Sequence, residues 1–313
     1  MPQFPNLPTP SLPTPHGDKL RALTTNTKVP AADEPRVRQA LDHYQEWRED
    51  ILNIQGERNN IVSQLVTKLN EYKRYIDLEL IYDSPHDWLY RQKGQTKIDS
   101  SIIEEFLPVL VLATFRTALS RDIFEIGPTK CFSNMRFDST FSKQVKGAGA
   151  TVKSKDQDFA ISRPVFIRTS HFRDFRESAT NESHLAYVAA ECKTNLDKTM
   201  FQEAAATARD VKAALPGAKY FLLCEWLDMT PISTSVTPID EIILLRKAKR
   251  LGSHLRKHFS KAKERKAHRQ SFVDYIDEYP FVESSFERFL DHVARVLNAS
   301  QLTAVGALTQ GYF

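Results

Sequence analysis

Hydrophobic positions keep a helical rhythm through the first third of the chain and a strand rhythm through its middle. From Arg36 to about Leu80, Val37, Leu41, Tyr44, Ile51 and Ile54, and then Ile61, Leu65, Leu69, Tyr72 and Ile76, recur at spacings near three, four and seven. That lays an apolar stripe along each of two helices, with Gly56 to Asn60 as the break, and predicts a helical hairpin. Ser101 with Glu104 three residues on reads as a capping box opening a further helix, which Pro108 kinks before the apolar run to Leu119.

Alternation over Lys130 to Phe141 predicts a first strand. Leu185 to Cys192 is apolar at nearly every position and bounded by polar residues, the pattern of a central strand covered on both faces. Asp158-Phe159-Ala160-Ile161 is its expected antiparallel neighbour, and the long interval between them calls for an inserted loop. Asp197 can cap a helix with Met200, Phe201, Ala204, Ala205, Ala208, Val211 and Leu215 on its inner face. Pro216-Gly217 ends that helix, and Tyr220 to Trp226 follows as a parallel strand. Phe281 to Leu297 reads as a closing amphipathic helix. The expected fold class is therefore α/β, a mixed sheet flanked by helices with helical additions at both ends.

Composition shifts set the expected divisions. Residues 1–35 hold half of the 16 prolines and read as a disordered, polyproline-like tail. Residues 36–97 form a helical subdomain, 98–230 the sheet-bearing core, and 231–313 a basic helical region. Of the 313 residues, 41% are hydrophobic and 26% charged, the balance of a soluble globular protein. No apolar run approaches the ~18 residues of a membrane span, and no signal-peptide core is present. Cys131, Cys192 and Cys224 show neither paired nor zinc-finger spacing, so a reducing, cytoplasmic setting is expected. The net charge is only +4, yet Arg246 to Arg269 carries a dense run of Lys and Arg against a single acid, Glu264. Such a segment is the footprint of a polyanion binder.

The chemistry gathers at the end of the apolar strand. Residues two apart on a strand share a face, so Glu191 and Lys193 project together while Cys192 turns away. Antiparallel pairing brings Asp158 beside Glu191. Two carboxylates with a backbone carbonyl make the hard-oxygen environment that Mg²⁺ prefers. Lys193 can orient a water or offset charge on a phosphate.

Asp158 and the Glu191-Cys192-Lys193 triplet, followed by a helix and a strand, resemble the PD-(D/E)xK nuclease superfamily over roughly Ile98 to Trp226. Gln157 stands where the motif has Pro. The resemblance implies Asp158, Glu191 and Lys193 as catalytic residues, with Mg²⁺ held by Asp158, Glu191 and the backbone of Cys192. It also implies an acid on the first core helix, taken here as Glu105 because capping accounts for Glu104, and a supporting role near the site for Gln202. The interval with Arg168, Arg173 and Arg176 among Phe166, Phe172 and Phe175 is a candidate DNA-contacting loop, as is the Gly147 to Ala150 stretch. Arg256, Lys257 and Lys261 are candidate phosphate contacts. The implied activity is Mg²⁺-dependent hydrolysis of double-stranded DNA by a type II restriction endonuclease similar to the BbvCI-like enzymes. It would act as a homodimer or as a heterodimer with a second nuclease subunit. A repair or phage-defence nuclease of the same superfamily, or a non-catalytic basic DNA-binding protein, remain the alternatives.

Overall fold

Strand pairing runs in chain order, β1 (Glu125–Phe137), β2 (Ala150–Thr169), β3 (Ala179–Leu196), β4 (Lys219–Leu227) and β5 (Glu241–Lys249). In this computed structural model, which describes residues 12–119, 124–298 and 308–309, β1, β2 and β3 pair antiparallel and β3, β4 and β5 parallel. The helices are α1 (Pro15–Thr24), α2 (Glu34–Asn53), α3 (Arg58–Arg74), α4 (Trp88–Thr96), α5 (Ser101–Leu119), α6 (Lys198–Ala214), α7 (Ser253–Arg256), α8 (Ala262–Ala267), α9 (Arg269–Glu278) and α10 (Glu283–Leu297). A π-helical turn, Tyr75–Tyr82, extends α3. The expected mixed α/β sheet is thus present. Among the described residues no helix is long and apolar enough to cross a membrane.

Burial follows the period of two along the strands. Phe159, Ile161, Val188, Ala190, Phe221 and Leu223 face one side, packed on α5 and α10. There the Phe289 ring meets those of Phe159 and Phe221 edge-on at 5.7 and 5.5 Å. Ala160, Ala189, Tyr220 and Leu222 face the other side, against Phe201, Ala204, Ala208 and Val211 of α6. The small residues of α6 let that helix lie close to the sheet. Asp197 caps it as expected, accepting from the Met200 N–H at 2.9 Å.

Several expectations need correction. Residues 1–11 lie outside the described part, but 12–35 are not a polyproline tail. Pro15 opens α1 and Pro35 sits in the first turn of α2, positions where a missing N–H costs nothing. Leu20, Leu23 and Val29 are buried in the same core as the sheet. No large loop is inserted between the acidic strands. β2 and β3 themselves lengthen into a hairpin paired from Phe159↔Ala190 out to Thr169↔Ala179, leaving only 170–178 as the turn. Gly147 is held in that hairpin, donating its N–H to Glu177 O and accepting from Thr169 Oγ1, each at 2.8 Å, so it is not a free loop by the site.

The region from 231 onward is not purely helical, because β5 completes the sheet. Its charges hid it. Arg246 is buried, sandwiched between Trp226 and Phe281 and facing Glu225 at 3.2 Å. Arg265 is buried too, donating to the backbone carbonyls of Tyr82, Ser84, His86 and Phe259 at 2.7 to 3.0 Å and so tying the C-terminal helices to the turn after α3. Two cations of the basic run are therefore internal structure, while most of the others are exposed.

Candidate active site

The site lies where β2 and β3 part. Their ladder ends at Phe159↔Ala190. One residue further, Asp158 Oδ2 accepts the Cys192 N–H at 2.9 Å, so a carboxylate takes the place of the next ladder carbonyl. The expected juxtaposition of Asp158 with the Glu191 triplet is thereby formed through a charge-assisted bond. The Cys192 thiol turns into the apolar core beside Val188 and Ala190, where burial pushes it well up, so no thiolate is offered here.

Lys193 Nζ lies 3.9 Å from Glu191 Oε1. Glu191 Oε2 is buried with no hydrogen-bond partner. Burial pushes the Glu191 carboxyl up, Lys193 pulls it back down, and Asp158 and Glu203 push it further up. A cleft of about 540 Å³ opens above, lined by Glu104, Asp158, Cys192 and Lys193 together with Lys97 and Arg250. Glu191 does not line it, and lies beneath on the α6 side.

Of the two adjacent acids on α5, Glu104 lines the cleft and Glu105 does not. The Ser101 hydroxyl donates to Lys97 O at 2.6 Å, so no capping box holds Glu104. Glu104 is buried at the cleft wall, and its carboxyl is raised to about 7 by burial and by Asp158. Glu105 points the other way. Its Oε2 accepts from the His16 and Gly17 N–H groups at 2.9 and 3.2 Å, and its Oε1 accepts from the Tyr44 hydroxyl at 2.7 Å. Arg48 Nη1 stands 3.1 Å from Oε1, near enough for charge attraction though not aligned as a hydrogen bond. Glu105 therefore clamps the start of α1 to α5. The distinguishing sequence signal is that Ser101 and Glu105, four apart, share one helix face, and both meet His16.

Gln202 is exposed and outside the cleft, while its neighbour Glu203 is the α6 residue whose charge reaches Glu191. Gln157 is buried with its Oε1 unpartnered, at the irregularity where β1 and β2 change register. In the hairpin turn Arg168 lies over the Phe175 ring and bonds Ser178 Oγ, and Arg176 lies over Phe172. Arg173 is exposed beside them. The turn thus holds guanidinium groups stacked on aromatics and bonded to its own residues, Arg168 to Phe175 O and Arg176 to Asp174. Among the C-terminal cations, Arg256 lines the cleft while bonded to Leu251 O at 2.7 Å. Lys257 and Lys261 are exposed, the latter 3.8 Å from Glu264.

Among the described residues no three His, Cys, Asp or Glu side chains converge as a complete metal cage. Two carboxylates, one with an unpartnered buried oxygen, do suit an ion that keeps several of its waters. Mg²⁺ is such an ion.

The family described as Bpu10I restriction endonuclease matches this chain over residues 95–313. Among solved structures, a chain of the native BbvCI A2B2 tetramer, determined at low resolution, aligns at 19% identity with a TM-score of 0.48. The alignment covers 82% of this chain and 93% of that one. No curated protein matches. The matched span takes in α5, the whole sheet and the acid–lysine cluster, more than half of the chain, and the chain belongs to the Bpu10I restriction endonuclease family.

Proposed function

We propose that this chain is a nuclease subunit of a type II restriction endonuclease, cutting phosphodiester bonds of double-stranded DNA with Mg²⁺. The observation that carries the reading is the Asp158 Oδ2 to Cys192 N–H bond at 2.9 Å. It fixes one carboxylate next to Glu191 and Lys193 at the mouth of a cleft that holds both acids and cations. Asp158 and Glu191, with the backbone at Cys192, would hold the ion. When bound, Mg²⁺ would polarise the scissile phosphate and make a water more acidic.

The chain's own groups have separate tasks. Lys193 donates toward the phosphoryl oxygens and offsets the charge that builds there. Glu104, with its carboxyl raised to about 7, stands beside Asp158 as a group able to hold or release a proton near neutrality. Arg250 and Arg256 extend the cleft with positive charge along the path of a DNA strand. The stacked Arg168 and Arg176, with Arg173, suit contact with groove edges or phosphates at the hairpin turn.

One such site hydrolyses one strand. A double-strand break then needs a second copy or an unlike companion subunit with its own site. The test is to incubate the purified protein with unmethylated phage DNA and Mg²⁺, alone and with any companion subunit, and to map the ends. Discrete fragments with a constant terminal sequence support the reading. No cleavage under any of these conditions would sink it.

A further inference from the structure

Lys97 stands where a lysine is unfavourable. It follows α4 directly with φ 54° and ψ 23°, the left-handed conformation that glycine or asparagine usually supplies at a helix end, because a Cβ there is crowded. The turn uses only its backbone, since Lys97 O accepts from Ser101 N–H at 3.1 Å and from the Ser101 hydroxyl at 2.6 Å. Ile98, the next residue, is fully buried, so the turn cannot relax outward. Packing does not ask for the side chain, which is 52% exposed, and its ion pair with Glu104 is a loose 3.9 Å. Pairs of that kind add little stability.

What the position does achieve is placement. It sets an ammonium on the helical wall of the cleft that Lys193 lines from the sheet, with Glu104 and Asp158 lining the same cleft. Lys193 is already within 3.9 Å of Glu191. A cleft with these acids must still accept an anionic DNA backbone, so a further cation beside Glu104 has an electrostatic task. Residues that a strained backbone position disfavours are found disproportionately at functional sites.

We propose that Lys97 is a second phosphate-holding cation of the active site, contacting a non-bridging oxygen of the bound DNA strand from the helical wall while Lys193 acts from the sheet; this rests on the nuclease reading above. Relieving the strain and removing the charge should then act in opposite directions. In the enzyme's active assembly, Lys97→Gly should raise the melting temperature by about 1–3 °C. It should also lower the single-turnover cleavage rate about 10- to 100-fold, with a smaller change in half-saturating DNA concentration. Lys97→Arg, which keeps the cation and the strain, should recover most of the rate without the stability gain.

Asp158→Ala serves as the control for the nuclease reading. If Asp158→Ala is dead and Lys97→Gly cuts at the wild-type rate, the role of Lys97 is overturned and the nuclease reading stands. If Lys97→Gly loses stability as well as rate, the residue belongs to the fold and the proposal is overturned. If Asp158→Ala cuts like wild type, the nuclease reading fails and takes the proposal with it.

Discussion

Adjacent glutamates with opposite assignments offer a sharp test of the structure. Replacing Glu105 by Ala removes the acceptor for two N–H groups at the start of α1 and for the Tyr44 hydroxyl, and strands Arg48, whose side chain is only 12% exposed. Removing one partner from a buried charged cluster typically costs about 3–5 kcal/mol, because the other groups lose their compensation without regaining water. For a domain of this size, each kcal/mol shifts the melting temperature by roughly 2–3 °C, so Glu105→Ala should melt about 6–15 °C lower. Its cleavage rate per folded molecule, measured well below the melting point, should stay within a few-fold of wild type. Glu104→Gln should do the reverse. It keeps the volume, leaves a carboxamide in place of a carboxyl that burial already raises, and should hold or improve the melting temperature while cleavage falls. Thermal unfolding followed by circular dichroism, with single-turnover cleavage of a labelled duplex on the same preparations, reads both quantities. A stable but inactive Glu105→Ala, together with a fully active Glu104→Gln, would show that α5 is turned by one residue from the arrangement described and refute the assignment.

In the metal-free protein Glu104 should contribute stability that falls as pH rises. The Glu104 carboxyl, at about 7 when folded, keeps its proton where the unfolded group, near 4.5, has released it. The contribution is therefore complete below about pH 4.5 and lost as pH rises through about 7, so the stability of wild type relative to Glu104→Gln should fall across that range in pH-dependent denaturation. Asp158→Ala and Glu191→Ala should each abolish cleavage while DNA affinity without Mg²⁺ stays level or rises, since each removes negative charge near a phosphate; gel-shift and cleavage assays on both variants decide it, and normal cutting by both would be fatal to the site. Replacing Arg256, Lys257 and Lys261 with Gln should flatten the log-log salt dependence of DNA binding by roughly 0.9 for each phosphate that is no longer neutralised, and unchanged slopes would make them solvated surface. Arg265→Met should instead destabilise the protein by about 3 kcal/mol or more and leave the salt slope alone, because that guanidinium is engaged by four backbone carbonyls.

Pattern alone determined the elements whose physics is local or periodic. The helical hairpin of α2 and α3 follows from apolar stripes, β3 from an unbroken apolar run, and α6 from the Asp197 cap and its alanine face. The nearness of Asp158 to the Glu191 triplet also followed, because antiparallel pairing leaves little choice once both strands are recognised. Prolines misled at 12–35, since the same residue that favours extended chain is equally suited to the first turn of a helix, and only burial of Leu20 and Leu23 selects between the two. Charges misled at β5 and around Arg265, where the sequence shows a basic run but not which cations find buried acids or carbonyls.

Tertiary structure alone decided which of two neighbouring glutamates faces the cleft. One residue is a turn of about 100° on a helix, and what fixes the angle is α1 docking through His16 onto the Ser101 and Glu105 face, an interaction between residues some 90 positions apart. Lys97 was hidden for the same reason. Its value lies in an imposed left-handed turn that brings α4 and α5 to the mouth of the sheet, and no local rule would place a lysine there.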